Sequence, residues 1–173
     1  MASIGMAFAG LTSGYVVAKG SLEAKNIWQT IALPSAFYIS TAAIILSSIL
    51  LIRGQQAFSK GSPQTALRLL QVAAVLGVVF LGFQLAGWQH LVDANIWFTG
   101  PKSTPAGSWL YVITWFHWMH VVAGVMVLGV TTWKAHQGRY TVDSHLGYDL
   151  AAQFWHFLGI LWIYLLLFLA FLR

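Results

Sequence analysis

A chain of 173 residues with 58% hydrophobic and only 8% charged side chains cannot clothe itself in water, because an ordinary soluble domain is roughly a quarter charged. The absence of cysteine excludes disulfides, thiolate zinc sites, iron–sulfur clusters and cysteine nucleophiles together. The net charge of +5 is scattered singly and makes no patch for nucleic acid, so the sequence reads as an integral membrane protein.

A membrane-spanning helix needs about 20 mostly apolar residues. Apolar runs fall at 3–18, 31–52, 66–91, 109–133 and 150–172. They predict an all-α bundle of five transmembrane helices in a single domain over 1–173. The first run is short, but it has no basic leader and is not read as a signal peptide. Turn residues separate the runs: Lys19-Gly20-Ser21, Gly61-Ser62-Pro63, Thr99-Gly100-Pro101 through Pro105-Ala106-Gly107, and Gln137-Gly138-Arg139. All nine Lys and Arg and all four Asp and Glu lie in these loops or at helix ends. That segregation is what real spans require, since a charge at the bilayer centre costs several kcal/mol or more. Trp28, Trp97, Trp109 and Trp133 stand near the boundaries, where indoles anchor in the interface. Five spans put Arg53, Lys60, Arg68, Lys134 and Arg139 on the side of the N-terminus, against Lys19, Lys25, Lys102 and Arg173 opposite. The bias places the N-terminus in the cytoplasm and the C-terminus outside.

Polar residues within the spans are few and grouped. Ser40 and Ser47, seven apart on the second helix with Ala43 between them, make a face that another helix can approach closely. Gln84 and Trp88 share a face of the third helix, a pattern that suits interhelical hydrogen bonding. The fourth helix carries His117 and His120 at i and i+3, and the fifth carries Asp149, Gln153 and His156 spaced four and three. Two polar stripes on neighbouring helices suggest one buried hydrogen-bonded seam, surrounded by Trp115, Trp118 and Trp155. The alternative is a metal or haem site built on His117, His120, His156 and His90, since imidazole is the commonest protein ligand for such centres. Two histidines one turn apart on a single helix do not oppose each other across a haem. A non-haem iron or zinc site also wants a carboxylate or thiolate at the same depth. Ion-coupled transporters and pumps usually carry ionisable groups within their spans, and none stands mid-span here. The chain therefore reads as the partner of a protein that holds the chemistry.

Two segments carry a resemblance. Phe116-His117-Trp118-Met119-His120-Val121 with Gly124 resembles the F-H-x-x-H-V-x-x-G segment of cytochrome c oxidase subunit III. His145-Leu146-Gly147-Tyr148-Asp149 through Phe154-Trp155-His156-Phe157 is similar to that family's H-x-G-x-E-x-A-x-x-Y-W-H-F segment, and the run on to Trp162 to its W-H-F-x-D-x-x-W ending. Leu33-Pro34, Phe83-Gln84 and Gly87-Trp88 are similar to the shorter bacterial members, which have five helices in place of seven. The resemblance covers nearly the whole chain.

The resemblance implies a non-catalytic accessory subunit of a respiratory haem-copper terminal oxidase in the bacterial cytoplasmic membrane. Such a subunit holds no haem, copper or other cofactor, stabilises the catalytic subunit I that does, supports proton uptake and binds phospholipid. Its partners are the other oxidase subunits and, beyond them, a larger respiratory supercomplex. It belongs to an oxidoreductase complex without a catalytic centre of its own. The family's lipid-binding loop corresponds to Lys134, Arg139 and Thr141. Three departures argue against direct proton handling: no acid between Ile4 and Val17, Gly159 for the expected aspartate, and Asp149 for the longer glutamate. The rival readings are a related subunit of a nitric oxide reductase, a b-type haem, quinone-reactive membrane anchor, and a lipid-binding assembly factor.

Overall fold

The computed structural model describes residues 1–140 and 145–172, and these form five helices in an all-α arrangement. They are α1 (Ala2–Glu23), α2 (Ser35–Ser59), α3 (Pro63–Asp93), α4 (Pro105–His136) and α5 (Leu146–Phe171). Among the described residues, four of them, α2 to α5, are long and apolar enough to cross a membrane. The helix α1 has 22 residues but is broken up by glycines and by Thr12 and Ser13, and it falls short of that apolarity.

The helices outrun the apolar stretches because their ends are set by capping chemistry. At the start of α4, Thr104 accepts a hydrogen bond from the Gly107 N–H at 3.2 Å, and Pro105 takes the first helical position. The helix thus begins four residues before its apolar run, inside what reads as a loop in sequence. Pro63 opens α3 in the same way. Upstream of α2 the effect is opposite. Pro34 holds the residue before it extended, so 31–34 stay outside the helix, which starts at Ser35.

One terminating device closes α1 to α4. A residue with positive φ stands two places beyond α2, α3 and α4 and three beyond α1: Gly61 (72°), Asn95 (61°), Gly138 (68°) and Asn26 (57°). Each donates its N–H to the carbonyl three residues back, and the next residue reaches five back, as in Arg139 to Lys134 at 3.2 Å and Ile96 to Leu91 at 2.9 Å. This Schellman geometry satisfies carbonyls that would otherwise be orphaned.

Packing runs through α2 against α3, α3 against α4, α4 against α5, and α5 back against α2. Ser47 donates to the Ala73 carbonyl at 3.1 Å, and Gln84 donates to the Ser40 hydroxyl at 2.9 Å, so the small face of α2 lies on α3. The helix α1 is an outlier, resting on α4 and α5. Phe8 packs edgewise on His117 and His120 and lies tilted against Phe116, while Tyr15 meets Trp109 and Phe168 and donates to the Leu172 carbonyl at 3.1 Å. Valines and isoleucines cover the outer faces, among them Val72, Val75 and Val78 of α3. Helices apolar on both faces suit a lipid surround.

Candidate functional site

The centre of the bundle is an aromatic core that accepts its rings by leaving out side chains opposite them. Trp155 of α5 is fully buried. It sits between Gly77 of α3 and Gly124 of α4, where an added Cβ would come within 2.7 Å and 3.1 Å of the indole. Trp162, two turns later, is also fully buried, donates to the Thr41 hydroxyl at 2.9 Å, and packs edgewise on Phe37 and Phe80. Trp88 donates to Thr114 at 3.1 Å. These indole N–H bonds join α5 to α2 and α3 to α4 at membrane depth, where interhelical polar contacts take over from hydrophobic driving force.

His117 lies in this core with no exposure. Its ring stacks on Trp162 at 5.2 Å between centroids, with Phe8 and Phe80 edge-on at 6.0 and 6.2 Å, and neither ring nitrogen has a hydrogen-bond partner among the described residues. His120 is half-buried one turn on, its Nδ1 2.7 Å from the Phe116 carbonyl oxygen. Asp149 is elsewhere, at the end of the bundle. It accepts from Gln55 of α2 at 2.9 Å and lies 3.5 Å from His145. Gln153 is exposed, and His156 borders the groove between α5 and α2.

The five polar residues of α4 and α5 therefore do not meet as one seam, and none hydrogen-bonds another among the described residues. The reason is rotational. α5 turns Trp155, Leu158 and Trp162 toward its neighbours, because those rings fill the space left by Gly77 and Gly124. A face defined by 155, 158 and 162 carries Asp149, Gln153 and His156 off to the side. Of the residues that hold Asp149, His145 stands four places before it, a spacing readable in sequence, whereas Gln55 of α2 carries no pattern that pairs it with Asp149. No group of three or more His, Asp or Glu among the described residues is placed to hold a metal ion.

At the bundle end that holds the α2–α3 and α4–α5 loops, Lys134 is half-buried on the last turn of α4. The exposed Arg139 guanidinium sits 5.8 Å from the centre of the Trp133 ring. Thr141 lies outside the described residues.

This geometry is that of a packed helical scaffold, and its sequence has relatives. The family model described as cytochrome c oxidase subunit III matches residues 26–172. The chain belongs to the cytochrome c oxidase subunit III family. A cytochrome c oxidase subunit 3 of Synechocystis sp. is 27% identical over 163 residues, covering 91% of this chain and 66% of the relative. That of Thermostichus vulcanus is 27% identical over 162 residues, covering 91% and 76%. A probable cytochrome c oxidase subunit 3 of Rickettsia prowazekii is 30% identical over 133 residues, covering 76% and 46%. The chain thus spans between about half and three quarters of the length of these curated relatives.

Proposed function

We propose that this chain is the accessory subunit III of a bacterial haem-copper terminal oxidase. It sits beside the catalytic subunit that carries haem and copper, stabilises it and supports its proton uptake. The observation that carries this reading is the subunit III match over residues 26–172. The aromatic interior supports it, since the core of the bundle is filled by Trp155, Trp162 and Phe80. We further propose that α1 crosses the membrane as a fifth span against α4 and α5, with the N-terminus in the cytoplasm and the C-terminus outside. Arg53, Lys60, Arg68, Lys134 and Arg139 all flank the two loops at one end, in keeping with positive-inside topology. Lys134 and Arg139, beside the interfacial Trp133, are our candidates for a phospholipid headgroup, with Thr141 as a hydroxyl donor.

The test is an optical spectrum and protein identification on the complex isolated through this chain in mild detergent. We expect a haem-copper catalytic subunit and its spectrum, both absent when this chain is isolated alone. A nitric oxide reductase catalytic chain in their place would reassign the partner. Haem retained by the isolated chain would overturn the accessory reading and make His117, His120 and His156 ligand candidates.

A further inference from the structure

Halfway along α2 and α5, polar groups are left without partners on an outward-opening groove. Ser40, Thr41 and Ser47 of α2 each donate to a carbonyl. Ser48, at the middle of the same helix, bonds no described residue. Across from it His156 stands near the middle of α5; its Nε2 is enclosed without a partner, and its other ring nitrogen bonds no described residue. Gly159, one turn on, is next to Ser48: a Cβ there would lie 3.5 Å from the hydroxyl oxygen, an ordinary contact, so α2–α5 packing does not itself demand glycine. Ser48, His156 and Gly159 line a groove of about 300 Å³ together with Ile45, Ile49 and Ile160, which are 42%, 44% and 69% exposed.

A neutral imidazole carries one N–H donor and one acceptor, and an unpaired polar group in hydrocarbon is costly. Lipid tails offer neither donor nor acceptor, and lipid headgroups lie about 15 Å away, at half the hydrocarbon thickness. Whatever fills the groove must therefore bring a hydrogen-bonding group to mid-membrane depth. A helix does so from its side chains. Isoleucine ridges flanking a small floor at Ser48 and Gly159 are the relief that receives one. We propose that the α2–α5 groove receives a transmembrane helix of another subunit of the same oxidase, which places a hydroxyl, amide or carboxyl side chain against His156. The proposal rests on the accessory-subunit reading and names one of its contact surfaces.

The test is photo-crosslinking in native membranes, with benzoylphenylalanine replacing Ile49 or Ile160, and Val75 on the outer face of α3 as the comparison site. We expect both groove positions to attach to a second polypeptide of the complex, mapping to a transmembrane segment with a polar side chain. His156→Leu should lower that adduct and the chain's retention in detergent about fivefold, and His156→Gln, which keeps a donor and an acceptor, should restore most of both. Adducts to lipid alone, or an adduct unchanged by His156→Leu, would overturn the proposal. The co-purifying haem chain separates the two readings. Lipid-only adducts in a complex that still holds haem sink the groove and leave the accessory role. Adducts to a polypeptide outside any oxidase, with no haem chain co-purifying, sink both.

Discussion

His117 and Trp162 show how far a side chain's identity can mislead about its task. An imidazole sealed among Phe8, Phe80 and Trp162, with no partner for either nitrogen among the described residues, contributes shape and costs desolvation. Its replacement by an apolar side chain should therefore be tolerated. We expect His117→Leu to leave stability within about 1 kcal/mol of the parent, or above it, as measured by thermal unfolding of the detergent-solubilised chain. A loss of several kcal/mol would mean that His117 has a partner within the bundle. Trp162→Ala, in contrast, removes a fully buried ring and the N–H bond to Thr41, and should cost about 3–5 kcal/mol. The spacing of His117 and His120 places both on one side of α4, and that much is legible in sequence. Their environments are not. One is sealed and the other half-exposed, because α1 and α5 cover the helix unevenly.

At the scale of elements, the sequence announces its helices through apolarity and hides their ends in chemistry that apolarity does not register. Thr104-Pro105 and Pro63 begin helices where turn residues suggest loops, while Asn26, Gly61, Asn95 and Gly138 end them. The two asparagines and two glycines make a direct test of the left-handed position, which costs an ordinary side chain about 1–2 kcal/mol. Gly138→Ala should destabilise by about 1 kcal/mol, whereas Asn95→Gly should be neutral or slightly stabilising, both read from thermal unfolding. Helix-to-helix fit is more sensitive. A Cβ at Gly124 would stand 2.8 Å from Leu158 and 3.1 Å from Trp155. Gly124→Leu should accordingly disperse the bundle or cost about 3 kcal/mol or more through overpacking. The facing of α5 was not legible for the same reason: it depends on glycines of α3 and α4 far away in the chain, and no periodicity within α5 records them.

At the scale of the whole molecule, the charge distribution and the absence of cysteine make topology directly measurable. Single cysteines placed at Ser62, in the α2–α3 loop, and at Ser103, before α4, introduce the chain's first thiols. We expect an impermeant maleimide to label Ser103→Cys in intact cells and Ser62→Cys only in inverted vesicles; the reverse pattern would invert the orientation. Lys134→Ala with Arg139→Ala should lower the phospholipid retained by the purified complex, and an unchanged phosphorus content would remove the lipid role. The all-α class, four of the spans and the family were legible because hydropathy and the two histidine-bearing segments are local. The groove at His156 was not, because it exists only where α2 and α5 come together.

The seating of α1 has a consequence in time. The Tyr15 hydroxyl bonds the Leu172 carbonyl, 157 residues later in the chain. At a synthesis rate of about 5–20 residues per second, roughly 8–30 s separate the two residues at the ribosome. During that interval the hairpin of α2 and α3 can close behind α1, while the surfaces of α4 and α5 on which α1 rests have yet to emerge. The helix α1 is thus made before the helices it rests on, and synthesis stalled ahead of α5 would leave it undocked for whatever quality-control machinery surveys the bilayer.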